Sequence, residues 1–275
     1  MYNGRIMKLL SGAEIVGFVK ERQARQVRGL RQAHRAVPKL AIIQTNHLPI
    51  IDTYVRLKVA YGADILVDVE PHVVEQGEAL RVIERLNADP TVHGIIIQLP
   101  VSQPEYTDEL VNAVDPSKDV DGLGEHPAFD PATPTAVHWL LAGYNVELKQ
   151  RKVVVVGQGR LVGAPLARML RDSGLDVATA DAGTQDLGAL TRTADVLITA
   201  TGQPGLITSD MIKPNAVVVD AGVATDAGKF VGDLAEDVRQ RDDLTITPPK
   251  GGVGPLTVCS LFENVITAAR RSVEK

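Results

Sequence analysis

The chain has one cysteine in 275 residues, Cys259, so no intrachain disulfide can form. That usage fits a reducing compartment and removes a disulfide-stapled secreted scaffold from consideration. Aromatic residues are scarce, at 4%, so stacking platforms of the kind that hold single-stranded nucleic acid have little to be built from. No Lys/Arg-rich block interrupts the sequence and the formal net charge is -5, which argues against a nucleic-acid partner. No run of about 18 apolar residues occurs, so a membrane-spanning helix is not expected. The first residues, MYNGRIMKLLSGAEIVGF, lack the long apolar core of a signal peptide. The six histidines and the acids fall into no metal-ligand spacing, and no metal is expected. There is no fixed-period repeat and no low-complexity linker. A soluble cytoplasmic globular protein is the expectation.

What is present is an alternation of apolar runs and amphipathic stretches. LAIIQT at 40–45, ADILVDVE at 63–70 and HGIIIQLP at 93–100 read as strands. Helices are predicted over 12–35, 51–61 (with Gly62 as its C-cap), 74–88 and 134–145. The pattern then restarts with VVVVG, DVATA, DVLITAT and AVVVDAG, four short apolar strands with helices or turns between them. This is the signature of βαβ units on a parallel sheet. The fold class expected is α/β in two lobes. Residues 1–145 form an N-terminal α/β catalytic lobe completed by a C-terminal helix over 256–275. Residues 146–255 form a Rossmann-like parallel-sheet cofactor domain, with the active-site cleft between the lobes.

The stretch VVVVGQGRLVGAPLARML carries the strongest local signal. Gly157 permits a tight strand-to-helix turn, Gly159 lets backbone approach a phosphate, and the helix that follows offers free N–H groups. The glycine spacing, with Gly163 as third member, is one residue longer than the common dinucleotide fingerprint. The strand DVATA ends at Asp181, close to the roughly 20-residue offset at which an acid binds the adenosine ribose and repels a 2′-phosphate. Asp181 also reads as a solvated loop acid. Arg160 points the other way, since a loop arginine can pair with phosphate.

In the first lobe Tyr54 and Lys58 stand four apart on a predicted helix and share a face. Such a pair polarises a carbonyl or iminium group, or moves a proton if the lysine pKa is lowered; it also reads as an ordinary amphipathic edge. Gln98 closes a buried strand at the carboxyl edge of the sheet. Asp119 and Asp121 lie in the loop PSKDVDGLG, where a carboxylate suits a ligand with a row of N–H donors and where an Asx-turn is the structural alternative. The glycines of TPPKGGVGPLT, Thr247 to Thr257, allow backbone to approach a ligand.

Taken together and in order, LNADPTVHGIIIQLP, KDVDG, GGVGP, YVRLK, ADVLITATGQPG and VVVDAGV resemble the bifunctional methylenetetrahydrofolate dehydrogenase/methenyltetrahydrofolate cyclohydrolase family over essentially the whole chain. The resemblance implies oxidation of 5,10-methylenetetrahydrofolate with NAD(P), then hydrolysis of the methenyl product to 10-formyltetrahydrofolate. It implies Lys58 as the key catalytic residue, assisted by Gln98 and Tyr54. It implies Asp121 as the pterin ligand, with Tyr54, Gly252, Val253, Gly254 and Pro255 lining the substrate site. The cofactor would be held by Gly157, Gln158, Gly159 and Arg160, with Asp181 at the ribose and Val223 on the nicotinamide side. A homodimer built through the cofactor domain is implied as well. Two departures bear on the cofactor: Gln158-Gly159 stands where the family has Arg-Ser, and Asp181-Ala182 where it has His-Ser. Both favour NAD over NADP. Ile51 stands where the family has a serine three before the tyrosine, and QLPVS replaces Gln-Leu-Pro-Leu-Pro. The competing readings are a dehydrogenase with weak cyclohydrolase activity and a non-catalytic relative that binds nucleotide or folate.

Overall fold

The structure, a computed structural model, describes residues 7–33, 36–226 and 229–274. Along the chain come β1 (Lys8–Leu9), α1 (Gly12–Gln32), β2 (Lys39–Gln44), α2 (Pro49–Ile65), β3 (Asp68–Val73), α3 (Ala79–Ala88), β4 (Gly94–Ile97), α4 (Thr107–Asn112) and α5 (Ala132–Gly143). There follow β5 (Val153–Val156), α6 (Gly163–Asp172), β6 (Val177–Ala180), α7 (Leu187–Thr191), β7 (Val196–Thr199), β8 (Val217–Asp220), β9 (Ala224–Asp226), β10 (Lys229–Val231), β11 (Thr245–Ile246) and α8 (Val253–Val273). Among the described residues no helix is long and apolar enough to cross a membrane.

Two compact units result: Gly17–Ala132 with Val258–Lys275, and Met1–Val16 with Thr133–Thr257. The sequence suggested a boundary near 145/146; the observed division sends residues 7–16 and nearly all of α5 to the second unit. β1 pairs in parallel with β11, Lys8 opposite Thr245. The Tyr144 hydroxyl, just beyond α5, accepts from Ser11 N at 3.0 Å and donates to the Glu14 carboxylate at 2.9 Å. These long-range ties have no periodic signature in the sequence.

The first unit holds a three-stranded parallel sheet in the order β3-β2-β4. β2 is central and its residues from Leu40 to Gln44 are buried, which is why KLAIIQ reads as an almost unbroken apolar run. Ile43 lies opposite Ile97 on one side and His72 on the other. Ile43, Ile95, Ile97, Ile83, Leu86 and Leu110 pack into one core cluster. Each such side chain contributes about 1.5–3 kcal/mol relative to exposure. Gly62 is not the cap of α2. The helix runs one turn further and ends at Leu66, which takes the left-handed conformation (φ 66°). Gly62 is small for packing: a Cβ there would overlap Val69 and stand 3.0 Å from the Val67 carbonyl oxygen.

The second unit holds a six-stranded parallel sheet, β1-β11-β8-β7-β5-β6. Val153 to Val156 of β5 are buried, as a strand in the middle of a parallel sheet requires. From β5 the chain goes to β6 on one side and then to β7 on the other, so strand order reverses at β5. The carboxyl ends of β5 and β7 therefore flank the switch point where ligands bind in open α/β sheets. β9 and β10 form a small antiparallel hairpin that the sequence reading did not anticipate.

Candidate active site

Helix α2 begins with Pro49 at its first turn, where a missing N–H costs nothing. It carries Tyr54 and Lys58 along one face. Gln98 directly follows β4, and its backbone N–H donates to the Ile43 carbonyl at 2.8 Å, which extends the sheet by one residue. The Gln98 side chain is 8% exposed. Its Nε2 donates to the Leu99 carbonyl at 3.0 Å, which turns Oε1 toward the lysine. Lys58 Nζ donates to that Oε1 at 2.8 Å and lies 6.0 Å from the centroid of the Tyr54 ring. Burial drives the Lys58 pKa below that of an ordinary lysine, and the Asp121 carboxylate opposes the shift. Burial also raises the Tyr54 hydroxyl.

Asp121 is delivered by the loop KDVDG, whose other polar residues fold the loop. Lys118 Nζ donates to the carbonyls of Leu86 (2.9 Å), Asn87 (2.8 Å) and Asp89 (2.7 Å) at the C-terminus of α3. Asp119 accepts from Gly122 N at 3.0 Å and Gly124 N at 2.9 Å, so this aspartate is a turn-former. Gly122 sits at φ +67°, and a Cβ there would stand 2.7 Å from the Phe129 carbonyl oxygen. The Ile95 N–H donates to the Lys118 carbonyl at 2.8 Å and stitches the loop to β4. Asp121 itself is pushed up to about 6 by burial, with Lys58 pulling it down and Asp119 pushing it further up. Lys58, Gln98, Tyr54 and Asp121 thus form one polar group in the first unit: an amine held by a neutral acceptor, with a carboxylate in electrostatic reach.

In the second unit the glycine loop leaves β5 at Gly157, which takes φ +94° and whose Cβ would stand 2.5 Å from the Ala200 carbonyl oxygen beyond β7. A Cβ on Gly163 would overlap the Gly157 carbonyl, so the start of α6 packs directly on the loop. Gly159 differs: a Cβ there would meet nothing within 4 Å. The protein's own packing gives no reason for that glycine, and the open space beside it is what a phosphate approach needs. Gln158 donates from Nε2 to the Gly157 carbonyl at 2.8 Å. Asp181, at the end of β6, is exposed and caps its own turn, accepting from Gly183 N at 2.9 Å. The Asx-turn alternative therefore describes one carboxylate oxygen; among the described residues Oδ2 has no hydrogen-bond partner.

Val223 is 58% exposed, and its carbonyl lies against Gly202 in the loop after β7. Gly252 packs against Gly12 and Thr247, while Val253, Gly254 and Pro255 form the first turn of α8. These residues belong to the same unit as the glycine loop, whereas the lysine group belongs to the other.

Two acids in this edge were missed by the sequence reading because they end strand-like stretches. Asp220 closes β8 and accepts from Gly222 N (3.1 Å), Asp233 N (3.1 Å), Leu234 N (3.3 Å), Thr199 Oγ1 (3.3 Å) and Arg239 Nη2 (3.2 Å). Asp233 is wholly buried and accepts from Thr201 N at 2.7 Å and Gln203 N at 3.0 Å. Gly222 and Gly232 were the only available signal, since a Cβ on either would overlap the Asp233 or the Asp220 carboxylate respectively. Among the described residues no group of three or more His, Cys, Asp or Glu could hold a metal ion.

Comparison with known proteins accounts for both halves. The family model described as "Tetrahydrofolate dehydrogenase/cyclohydrolase, catalytic domain" matches residues 10–121, and the companion "NAD(P)-binding domain" model matches residues 131–273. The "Bifunctional protein FolD" of Exiguobacterium sibiricum is 39% identical over 95% of this chain and 99% of its own. The solved bifunctional FolD methylenetetrahydrofolate dehydrogenase/cyclohydrolase of Campylobacter jejuni superposes with a TM-score of 0.91 at 33% identity, covering 96% of this chain and 99% of that one. The Trypanosoma brucei enzyme, solved with NADP cofactor and an inhibitor, gives 0.87 at 31% identity over 98% and 99% of the two chains. With separate models matching its two halves, and relatives matching at nearly full length, the chain belongs to the tetrahydrofolate dehydrogenase/cyclohydrolase family.

Proposed function

We propose that the Lys58 group carries the one-carbon chemistry of this bifunctional enzyme, which oxidises 5,10-methylenetetrahydrofolate to the 5,10-methenyl compound with NAD(P) and hydrolyses that product to 10-formyltetrahydrofolate. The observation that supports the assignment is the 2.8 Å bond from Lys58 Nζ to Gln98 Oε1 in a setting that lowers the lysine pKa. Hydride loss leaves a cationic carbon between two ring nitrogens, and that carbon is the electrophile for water. Lys58 in its neutral form accepts one proton of the adding water and returns it to the ring nitrogen as the C–N bond opens, while the remaining hydroxyl proton of the adduct leaves to solvent as the formyl C=O forms. Gln98 holds Nζ through an uncharged acceptor, so it orients the amine without fixing its proton. Tyr54 packs beside the ammonium and binds substrate. Asp121, raised toward neutrality, meets the N–H edge of the pterin. In Lys58→Met, hydrolysis of methenyltetrahydrofolate is expected to stop; unchanged hydrolysis overturns the assignment.

The cofactor edge fits a dinucleotide. Gly157 and Gly163 close the turn, Gly159 leaves open space beside it, and the N-terminus of α6 faces the loop. NAD(P) held by this loop would supply the hydride acceptor for the oxidation. Gln158 and Asp181 favour NAD over NADP, because an acid at the ribose repels a 2′-phosphate. Val223 borders the nicotinamide end, and Gly252, Val253, Gly254 and Pro255 border the substrate. On this reading the unit of residues 17–132 with 258–274 is the folate-binding part, and the unit that holds the glycine loop is the cofactor part. The enzyme works as a homodimer in the cytoplasm on tetrahydrofolate derivatives, with no metal and no nucleic acid. Parallel assays with NAD and NADP, following reduced nicotinamide and methenyl absorbance together, test the reading.

A further inference from the structure

Asp233 is a fully buried acid that the folate chemistry does not use, and it makes no ion pair among the described residues. Both of its carboxylate oxygens accept from backbone: Oδ2 from Thr201 N at 2.7 Å and Oδ1 from Gln203 N at 3.0 Å. Those two N–H groups belong to the loop that leaves β7, and Gly202 between them takes φ +66°. The same loop walls the switch-point crevice: a Cβ on Gly157 would stand 2.5 Å from Ala200 O and 3.1 Å from Thr201 Cγ2. Behind Asp233 stands Asp220, whose Oδ1 accepts from the Asp233 backbone N–H at 3.1 Å and whose Oδ2 pairs with Arg239 at 3.2 Å. Each acid also lies over a glycine of the other's strand end, Gly222 under Asp233 and Gly232 under Asp220. The two strand ends are therefore locked to each other and to the loop. A charged acceptor for two neighbouring N–H groups is stronger than a neutral one and fixes both together.

We propose that Asp233 is a positioning residue for the dinucleotide: its carboxylate holds the 200–203 loop in the form that closes the crevice beside Gly157, with Asp220 and Arg239 holding Asp233. This rests on the reading of that crevice as the NAD(P) site. An amide at position 233 keeps the shape but offers one acceptor oxygen and one NH₂ donor, so one of the two loop N–H groups loses its partner and meets a donor instead. The consequence is confined to cofactor binding and to the step that needs it, because hydrolysis of methenyltetrahydrofolate consumes no cofactor.

The experiment compares wild type with Asp233→Asn by calorimetric titration with NAD, steady-state dehydrogenase kinetics, and cofactor-free hydrolysis of methenyltetrahydrofolate. The expected result is NAD affinity weakened by about tenfold or more, the equivalent of one charge-assisted hydrogen bond. KM for NAD should rise with it, and hydrolysis should stay within about twofold. Equal NAD affinity in the two proteins overturns the proposal. Absence of NAD binding by wild type instead overturns the reading of the crevice. A measurement on wild type alone covers a variant that fails to fold: the amides of Thr201 and Gln203 should exchange with deuterium slowly without NAD and more slowly with it. Exchange of both at the rate of a free loop overturns the proposal.

Discussion

On the proposed assignment, the chemistry of the first unit hangs on side chains. Lys58, Gln98, Tyr54 and Asp121 come from a helix, a strand end and a loop, and each is a residue whose type alone suggests a role. On the same assignment the working surface of the second unit is backbone: the turn at Gly157, the open space at Gly159 and the loop N–H groups held by Asp233. A side-chain site tolerates a lysine that burial makes costly, because that cost is what brings its pKa toward the working range. A backbone site instead needs buried acceptors that never meet the ligand. The first kind should fail in its chemistry when mutated, and the second in its shape.

The largest separation is expected at Lys58. Lys58→Met should lower methenyltetrahydrofolate hydrolysis by about 10³-fold, within the range of a lost general acid–base. Its thermal midpoint at pH 7 should not fall, because a buried lysine with a depressed pKa costs stability in its charged form and Met fills much the same stem. A large drop in both activity and midpoint would mean that Lys58 is structural, and the contrast between the units would collapse.

The next effect separates two glycines two residues apart. Gly157→Ala places a Cβ at a positive φ and against the Ala200 carbonyl, so unfolding in urea should show a loss of about 1–3 kcal/mol. Gly159→Ala meets nothing in the protein and should change stability by less than about 0.5 kcal/mol. Its NAD affinity, read by titration, should nonetheless fall by about tenfold, because the methyl group occupies the space assigned to phosphate. Undiminished NAD binding by Gly159→Ala would remove the phosphate from that space.

The side-chain group could be read in the sequence because its members are chemically conspicuous and stand beside legible elements: a helix face, the end of an apolar strand and a short acidic loop. Gln98 ends IIIQ, and Asp121 follows a lysine and an aspartate that fold its loop. The strands of the second unit were equally plain, since a buried parallel strand such as VVVV admits few other readings. What escaped depends on contacts distant in the chain. Gly62 looked like a helix stop because glycine usually is one, while here it makes room for Val69 on the neighbouring strand. β1 is two residues long and pairs with β11 across most of the chain, so it carries no period. Asp220 and Asp233 end apolar runs, and nothing local reveals that each reaches across to the other's strand end.

Cofactor choice is expected to move less. Asp181 is exposed, so its field at a 2′-phosphate is weakened by water and salt. Asp181→Ser should shift the NADP-to-NAD ratio of kcat/KM by about tenfold toward NADP, and the shift should shrink as ionic strength rises. An unaltered ratio at low salt would remove the electrostatic reason for favouring NAD.

The smallest effect is the most diagnostic of the contrast, because it sets a half-buried acid against a fully buried one. Asp121 is raised to about 6 chiefly by burial. Below about pH 4 the folded and unfolded chains both hold its proton, and it costs nothing. Between there and about 6 the unfolded chain has released the proton while the folded one keeps it, so the Asp121 contribution falls as pH rises. Above about 6 the whole penalty is present. Asp121→Asn should therefore be more stable than wild type at pH 7 by on the order of 1 kcal/mol, part of the gain being offset by the loss of the charge opposite Lys58. The gain should disappear by about pH 4, and parallel stability profiles for the two proteins between pH 4 and 7 would exclude it. Asp233→Asn should go the other way at pH 7, because an acceptor that two backbone N–H groups require is lost from a fully buried position. The same substitution at these two aspartates would then stabilise the unit assigned to side-chain chemistry and destabilise the unit assigned to backbone recognition.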